Sequence, residues 1–313
     1  MGGGVNTSIE SRMSVNISKY KPEIRPDSRL GLVIRRFKAN KLAVAGLCLF
    51  ILYCAAAVFG PMLAPRSPSA IDAANAFAPP SLAHPMGTDR LGRDVFARVM
   101  IGARISMVVA IGVVLFSTIL GMSIGLIAGF NGGIIDEILM RIIDVFFAFP
   151  TILLALVVVA VLGTGLDRIV IALGISYTIP MARIARASAL SVSEEEYIMA
   201  AKSYGERTRR ILFREMAPNM LTPIIVQATI VFAFSILVEA SLSYLGVSAA
   251  PGTPSWGVII SQGQAVIMVA PWMVLGPGLT MAIAVLGLTF LGVGLRDAFD
   301  PKTEVDISKG GGV

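Results

Sequence analysis

Side chains that could carry out chemistry are few and widely separated in this 313-residue chain. His84 is the single histidine, so neither a nucleophile activated by histidine nor a multi-histidine metal site can form. Cys48 and Cys54 lie in an apolar run without the spacing of a disulfide or a metal site. No Gly-Lys-Ser/Thr phosphate loop is found. The sequence therefore predicts no catalytic residues, no metal and no cofactor bound by this chain.

Three ionisable residues lie in stretches that are otherwise apolar. Glu239 comes late in one of them, and a carboxylate at the centre of a bilayer costs about 3 kcal/mol. It is either a pathway or gate residue, or a group near the outer interface that bonds to the backbone or to Ser241. Arg141 and Asp144 are three residues apart on one helical face and could pair with each other, in the pathway or as a structural brace.

A second charged group lies between the first two apolar runs. Asp89, Arg93 and Asp94 could contact a protein that delivers substrate, or they could pair with one another and with Arg98. Exposed ion pairs contribute little to stability, so the contact and bracing alternatives both stay open.

Composition identifies the elements that must position these groups. The chain is 55% hydrophobic and 15% charged, with a mean hydropathy of +0.79, which is typical of a membrane protein. Because the first forty residues hold no apolar run and no small-residue cleavage site, we expect the first apolar run to be an uncleaved membrane helix and not a signal peptide. Apolar runs long enough to cross about 30 Å of hydrocarbon, some of them with polar flanks, predict six membrane helices. They are Leu42–Leu63, Ile105–Phe130, Ile142–Leu162, Ile169–Ala182, Thr222–Val238 and Met273–Leu295.

Basic residues set the orientation of these spans. They crowd before the first span and again in residues 207–214, whereas the loops on the other side are poorer in Lys and Arg. By the positive-inside rule, both termini and residues 193–219 are cytoplasmic. The net charge of +6 reflects this loading, with anionic lipid as a possible contact, and does not indicate nucleic acid.

The predicted architecture is an all-α membrane protein of six transmembrane helices with a cytoplasmic loop at 193–219. A cytoplasmic tail covers 1–34, a basic segment and the first span cover 35–63, and an outside loop with an interfacial segment covers 64–104. The transmembrane core covers 105–302, and a second cytoplasmic tail covers 303–313. Pro150 should kink the third span, and residues 258–270 should form an interfacial or re-entrant helix, with Trp256 and Trp272 at headgroup level.

The charged segment 194–219 has the pattern of two short helices. Ser193 and Glu196 fit a capping box that would start the first helix, and Gly205 is placed to end it in a left-handed conformation. Tyr197, Ala201 and Tyr204 should share one face. A second helix should run over 206–216 and stop at Pro218. The segment would form a compact knob that can fit the groove of a partner.

The sequence of this segment resembles the EAA loop of ATP-binding cassette importer permeases. "AAKSYGERTRRILFREMAP" has the alanine pair, the glycine after three residues and the proline thirteen residues beyond the glycine. "HPMGTDRLGRDVFARVMIGARIS", "MRIIDVFFAFP", "SLSYLGVSAAPGTPSWG" and "GLRDAFDPK" resemble the C-type permease subunit of the dipeptide, oligopeptide and nickel family. Met199, Glu215 and Ala217 depart from the family pattern.

This resemblance implies that the 193–219 loop is a coupling helix that docks on ATPase subunits. It implies that the coupling residues are Glu196, Tyr197, Ala200, Ala201, Tyr204, Gly205 and Pro218. It further implies a bacterial inner-membrane location, a related permease as heterodimer partner, two cytoplasmic ATPase subunits that bind ATP and Mg, and an extracytoplasmic solute-binding protein. Peptides are the expected solute, with nickel or opine and sugar conjugates as alternatives. An ion-gradient-driven secondary transporter is the competing class, but it would require inverted repeats, which the sequence lacks.

Overall fold

The computed structural model describes residues 29–64, 66–247 and 252–299. The predicted tail at 303–313 and most of the tail at 1–34 lie outside this part of the chain. The described residues fold into helices and contain no β-strand; the connections are short except for the long segment between α2 and α3. The helices are α1 (Arg29–Ala39), α2 (Lys41–Leu63), α3 (Val95–Asn131), α4 (Gly133–Phe147), α5 (Thr151–Leu162), α6 (Leu166–Ser193), α7 (Glu196–Ser203), α8 (Thr208–Arg210), α9 (Ala217–Asn219), α10 (Leu221–Tyr244), α11 (Trp256–Gln264) and α12 (Trp272–Phe299).

Five of the described helices, α2, α3, α6, α10 and α12, are long and apolar enough to cross a membrane. The predicted third span is instead two helices, α4 and α5, which meet at an angle of 92°. The break falls at residues 148–150, where Pro150 cannot donate a backbone hydrogen bond and its ring disfavours helical geometry in the residue before it. The predicted kink at Pro150 is confirmed, and the bend is much sharper than a kink.

Small residues bring α3 and α6 into close contact. A Cβ added to Gly121 would lie 2.7 Å from Met181 Cβ, and one added to Gly129 would lie 2.5 Å from Ala189 Cβ. Because four-residue glycine spacing removes side chains from one face, the backbones can approach closely. The residue numbers of the contacting pairs rise together along α3 and α6, so the two helices run parallel.

The first and last spans, α2 and α12, pack in the opposite sense. Gly46 of α2 faces Leu291, whereas the earlier Gly287 of α12 faces Leu49, so the two helices are antiparallel. The Asn40 side chain caps the start of α2 and also donates to Asp297 Oδ2 over 3.0 Å. The beginning of α2 and the end of α12 therefore lie at the same end of the bundle.

One predicted helix boundary and one predicted side-chain environment are wrong. The second span does not follow a separate interfacial segment at Ile105, because α3 begins at Val95, where the Asp94 side chain accepts a hydrogen bond from Ala97 N over 2.8 Å. The Trp256 side chain does not face lipid headgroups, because it is fully buried and its Nε1 donates to Val99 O over 2.9 Å. It holds α11 against α3 inside the bundle.

Candidate functional site

The segment between α6 and α10 forms a compact projection, which we call the crown (residues 196–219). Its first helix, α7, begins at Glu196, but the predicted capping box is wrong. Ser193 is the last residue of α6, and its Oγ donates back to Leu190 O over 2.9 Å. Since α6 continues to this point, Ser193 has a helical backbone and cannot adopt the extended conformation of an N-cap.

Gly205 ends α7 in the left-handed conformation, as predicted, with φ of +71°. The amide of Gly205 donates to Lys202 O over 3.1 Å, and the amide of Glu206 donates to Ala201 O over 3.1 Å. This pair of hydrogen bonds satisfies carbonyls at the end of the helix and defines a Schellman turn. The turn presents Tyr204, whose side chain is 90% exposed.

The second part of the crown differs from the predicted helix over 206–216 that stops at Pro218. It starts as α8, continues as a π-helical turn over Ile211–Met216, and passes through Pro218 as α9. In the π turn the Ala217 amide donates to Leu212 O, five residues back. The wider turn shifts the backbone hydrogen bonds by one residue just before Pro218, which has no N–H to donate. Helical structure therefore continues through a proline that would interrupt a regular α-helix.

Buried apolar side chains anchor the crown to the membrane helices. Ile198, Ile211, Met216 and Met220 are fully buried, or nearly so, in the same core cluster as residues of α3 and α6. Lys202 of α7 also lies 4.6 Å above the ring of Phe130 at the end of α3. The crown is therefore held against the ends of two spans.

The predicted coupling residues fall into two environments. Ala201 is partly buried and packs against the core. The others are exposed: Glu196, Tyr197, Ala200, Tyr204, Gly205 and Pro218. Phe213, which the sequence analysis did not select, is 65% exposed and lines an open groove of about 950 Å³ with Tyr204 and Gly205. Arg207, Arg209 and Arg210 complete the basic wall of this groove.

Glu239 is enclosed by the helices of the bundle. Its carboxylate is fully buried and accepts hydrogen bonds from Ser106 of α3 over 2.7 Å and from Ser243 over 2.9 Å. The predicted bond with Ser241 is wrong, since that hydroxyl donates to Leu237 O. The Ser243 partner, four residues along the same helix, could have been found from helical spacing; Ser106 is distant in sequence.

Asp144 pairs with Arg183 of α6, so the predicted pairing of Arg141 with Asp144 is wrong. Arg183 also lies 3.9 Å above the ring of Phe147. One turn further along α6, Arg186 makes two hydrogen bonds of 2.5 Å with Asp136 of α4. These contacts join α4 to α6, while Arg141 is exposed on α4.

The charged residues around the start of α3 brace the fold. Asp89 is buried and accepts hydrogen bonds from both Arg93, at 2.7 Å, and Arg98; Arg98 also donates to Gln262 of α11 over 3.1 Å. Asp94 is buried against His84 Nδ1 at 2.9 Å. Burial leaves the Asp89 and Asp94 carboxylates no exposed surface for a delivering protein, which contradicts that prediction for these two residues.

The hydrogen bonds around Asp89 favour its ionised form. Burial acts to raise the pKa of this carboxyl, but the backbone amides of Leu91 and Arg93 and the guanidinium groups of Arg93 and Arg98 outweigh it and hold the pKa below its usual value. Among the residues that the structure describes, no three His, Cys, Asp or Glu side chains form a group able to hold a metal ion.

Comparison with known proteins identifies the class of protein that this fold defines. Residues 121–305 match the family described as "Binding-protein-dependent transport system inner membrane component", and residues 28–80 match the "N-terminal TM domain of oligopeptide transport permease C". A chain of the MetNI methionine ABC transporter in an inward-facing form shares the fold, with a TM-score of 0.54 and 18% identity over 65% of this chain and 97% of that chain. The chain belongs to this family of inner membrane components.

Two curated relatives match almost the full length of the chain. The dipeptide transport system permease protein DppC of Alkalihalophilus pseudofirmus is 43% identical over 268 residues, covering 86% of this chain and 88% of the relative. The oligopeptide transport system permease protein OppC of Bacillus subtilis is 40% identical over 286 residues, covering 91% and 92%. The protein is therefore a permease subunit of an ABC importer, an integral membrane transporter component rather than an enzyme. The prediction of a C-type permease is confirmed, and the alternative of a secondary transporter is not supported.

Proposed function

We propose that this chain is half of the translocation pathway for dipeptides or oligopeptides. The relatives that match along most of its length are permeases of peptide transport systems, and the family match extends from the first span into the core. A related permease supplies the other half of the pathway, and a solute-binding protein delivers the peptide at the outer face. The termini and the crown lie in the cytoplasm, consistent with their basic residues.

The crown is the surface on which a cytoplasmic ATPase subunit docks. The observation that carries this proposal is the glycine turn at Gly205, which presents an exposed aromatic residue on a helix whose other face is anchored in the bundle. ATP and Mg bind to two ATPase subunits; the sequence of this chain has no phosphate-binding loop of its own.

Coupling follows from the way the crown is anchored. Closure of the ATPase pair would move the docked crown, and buried Ile198 and Ile211 would carry that movement to the spans because packed interiors transmit displacement with little compression. The difference in free energy between inward-open and outward-open states comes from nucleotide binding to the ATPase, not from this chain.

Replacing Gly205 with valine tests the docking proposal. A β-branched residue strains the left-handed turn and places bulk where the ATPase would sit. No atom lies within 4 Å of the position that a Cβ would take in this chain alone. We expect G205V to insert in the membrane but to lose co-purifying ATPase subunits and binding-protein-stimulated ATP hydrolysis.

Gly246 provides a matched control at the opposite end of a membrane helix. It closes α10 with φ of +92° and the same pair of hydrogen bonds, 3.1 Å to Ser243 O and 2.9 Å from Val247 N to Leu242 O, and space around it is also open. G246V should suffer similar local strain yet retain the ATPase subunits. Retention of the ATPase and of peptide uptake in G205V would contradict docking at the crown.

A further inference from the structure

A cleft of about 370 Å³ opens between α6, α10 and α12. It lies where α6 and α12 end and α10 begins, the same end of the bundle as the crown. Four apolar residues line it, from all three helices: Ile184, Val226, Ile230 and Phe299. Pro223 also lines it, and Thr222, Gln227 and Arg296 bring polar groups into this otherwise apolar space.

Gln227 and Arg296 have no hydrogen bond or ion pair with the other side chains that the structure describes. Gln227 is partly accessible in the cleft, and Arg296 is exposed. This sets Gln227 apart from Glu239 on the same helix, whose polar atoms are satisfied by serine hydroxyls. An amide without a partner in its own chain needs water, a polar ligand or a polar group of another subunit, because exposure to hydrocarbon would cost the free energy of its lost hydrogen bonds.

The depth of Gln227 argues against a simple position at the membrane surface. An untilted α10 of 24 residues is about 36 Å long, so each end extends about 3 Å beyond a 30 Å hydrocarbon layer. Gln227 is six residues from the start, about 9 Å along the axis, and thus about 6 Å inside that layer. A lipid phosphate at the surface could reach Arg296 near the end of α12, but acyl chains would surround Gln227.

We propose that this cleft is the water-filled cytoplasmic mouth of the solute pathway and that it binds a peptide on its way out. The Gln227 amide donates to and accepts from the peptide bond, which has the same donor and acceptor groups. Arg296 pairs with the carboxylate at the C-terminus of the peptide, and the apolar walls accept side chains of varied shape. This inference rests on the proposed peptide permease function.

Accessibility of an introduced thiol tests the cleft. Cys48 and Cys54 are first replaced with serine, and Q227C is assembled with the partner permease, the ATPase subunits and the binding protein in vesicles with the cytoplasmic side outward. The probe is a membrane-impermeant methanethiosulfonate, which reacts with the thiolate and therefore requires water. Ile225→Cys is the matched control, because Ile225 is 40% exposed at almost the same depth but faces away from the cleft.

We expect Q227C to react at least about tenfold faster than I225C, since ionisation of a thiol in hydrocarbon is strongly disfavoured. A dipeptide added outside the vesicles should slow the reaction, and modification should reduce the ATP-driven release of labelled dipeptide enclosed with the binding protein in the lumen. Val226→Cys, which also lines the cleft at nearly the depth of Gln227, should behave in the same way and replaces Q227C if that variant does not assemble.

Unreactive thiols at both cleft positions, in a complex that still imports dipeptide with ATP, would overturn the inference and leave the peptide permease function intact. Reaction that is fast but unaffected by peptide would also overturn peptide binding. Failure of the wild-type complex to transport dipeptide, with ATP hydrolysis intact, would instead argue against the proposed substrate class.

Discussion

Two serine hydroxyls donate to Glu239 in the interior of the bundle, one from α3 and one from its own helix. Burying a carboxylate in an apolar environment is costly unless hydrogen bonds compensate for the lost water. The bond to Ser106 also joins two spans that are 133 residues apart in sequence. Glu239 thus has a bracing role that requires its partners, whether or not the pathway also uses it.

Removal of the Ser106 hydroxyl tests this brace. We expect Ser106→Ala to lower the free energy of unfolding by about 1–3 kcal/mol, because one carboxylate oxygen loses its donor in a buried site. The measurement is chemical unfolding of the purified chain in detergent. Ser123→Ala is the control, since Ser123 lies on the same helix, is exposed, and donates to Ile119 O of its own helix. Equal stability of the two variants would show that Glu239 does not need Ser106.

At the residue scale, the sequence identified polar residues correctly but often assigned them the wrong partner. Helical spacing suggested Arg141 for Asp144, whereas the observed partner is Arg183, which is 39 residues away. Local spacing can reveal pairs within one helix only. Gly205 was predictable because a left-handed helix end is a local property of the backbone.

Among the structural elements, the outer segment over residues 66–94 is held by side-chain bonds to the spans. Trp272 Nε1 of α12 donates to Thr88 O over 3.0 Å, and Asp89 links this segment to Arg98 of α3. Asp89 should therefore keep the segment folded through its charge. We expect Asp89→Asn to raise hydrogen exchange of residues 84–94 at least about fivefold, since a hydrogen bond to a charged group contributes about 1.5–3 kcal/mol.

The matched control is Asp72→Asn, because Asp72 pairs with Arg66 on the surface and its pairing should contribute little.

The order of residues 84–94 in the native protein should also depend on pH. The pKa of Asp89 is lowered on folding, so its contribution is complete above the ordinary aspartate pKa of about 3.9 and is lost as the pH falls below that value. Loosening of residues 84–94 already between pH 5 and 7 would contradict a role for the Asp89 charge.

The sequence predicted most elements because hydrophobic runs of membrane length are a strong local signal. The sequence was a poorer guide to helix ends and side-chain environments that depend on tertiary contacts. Trp256 looked like an interfacial residue, but its indole N–H has a backbone partner inside the bundle. Likewise, the π turn before Pro218 replaces the expected helix stop, and nothing in the local composition distinguishes a wide turn from a regular one.

At the scale of the whole molecule, the parallel packing of α3 and α6 determines how often the chain crosses the membrane. Two parallel helices begin on the same side of the membrane and end on the same side. After α3 ends, residues 132–165 must therefore return to the side where α3 began before α6 can start. The bent pair α4 and α5 makes this return and counts as one crossing. With α2, α3, α6, α10 and α12, it gives six crossings, in agreement with the sequence prediction.

Reporter fusions test whether α4 and α5 cross together. Alkaline phosphatase is active only outside the cytoplasm, so we expect a fusion after Gly132 to be inactive and one after Gly163 to be active. Arg183 and Arg186 hold α4 near the inner half of α6, from which α5 can extend to the outer side. A re-entrant loop would leave both fusions inactive. In that case α6 would start from the cytoplasmic side and could not run parallel to α3, so the same result would contradict the packing of the bundle as well as its topology.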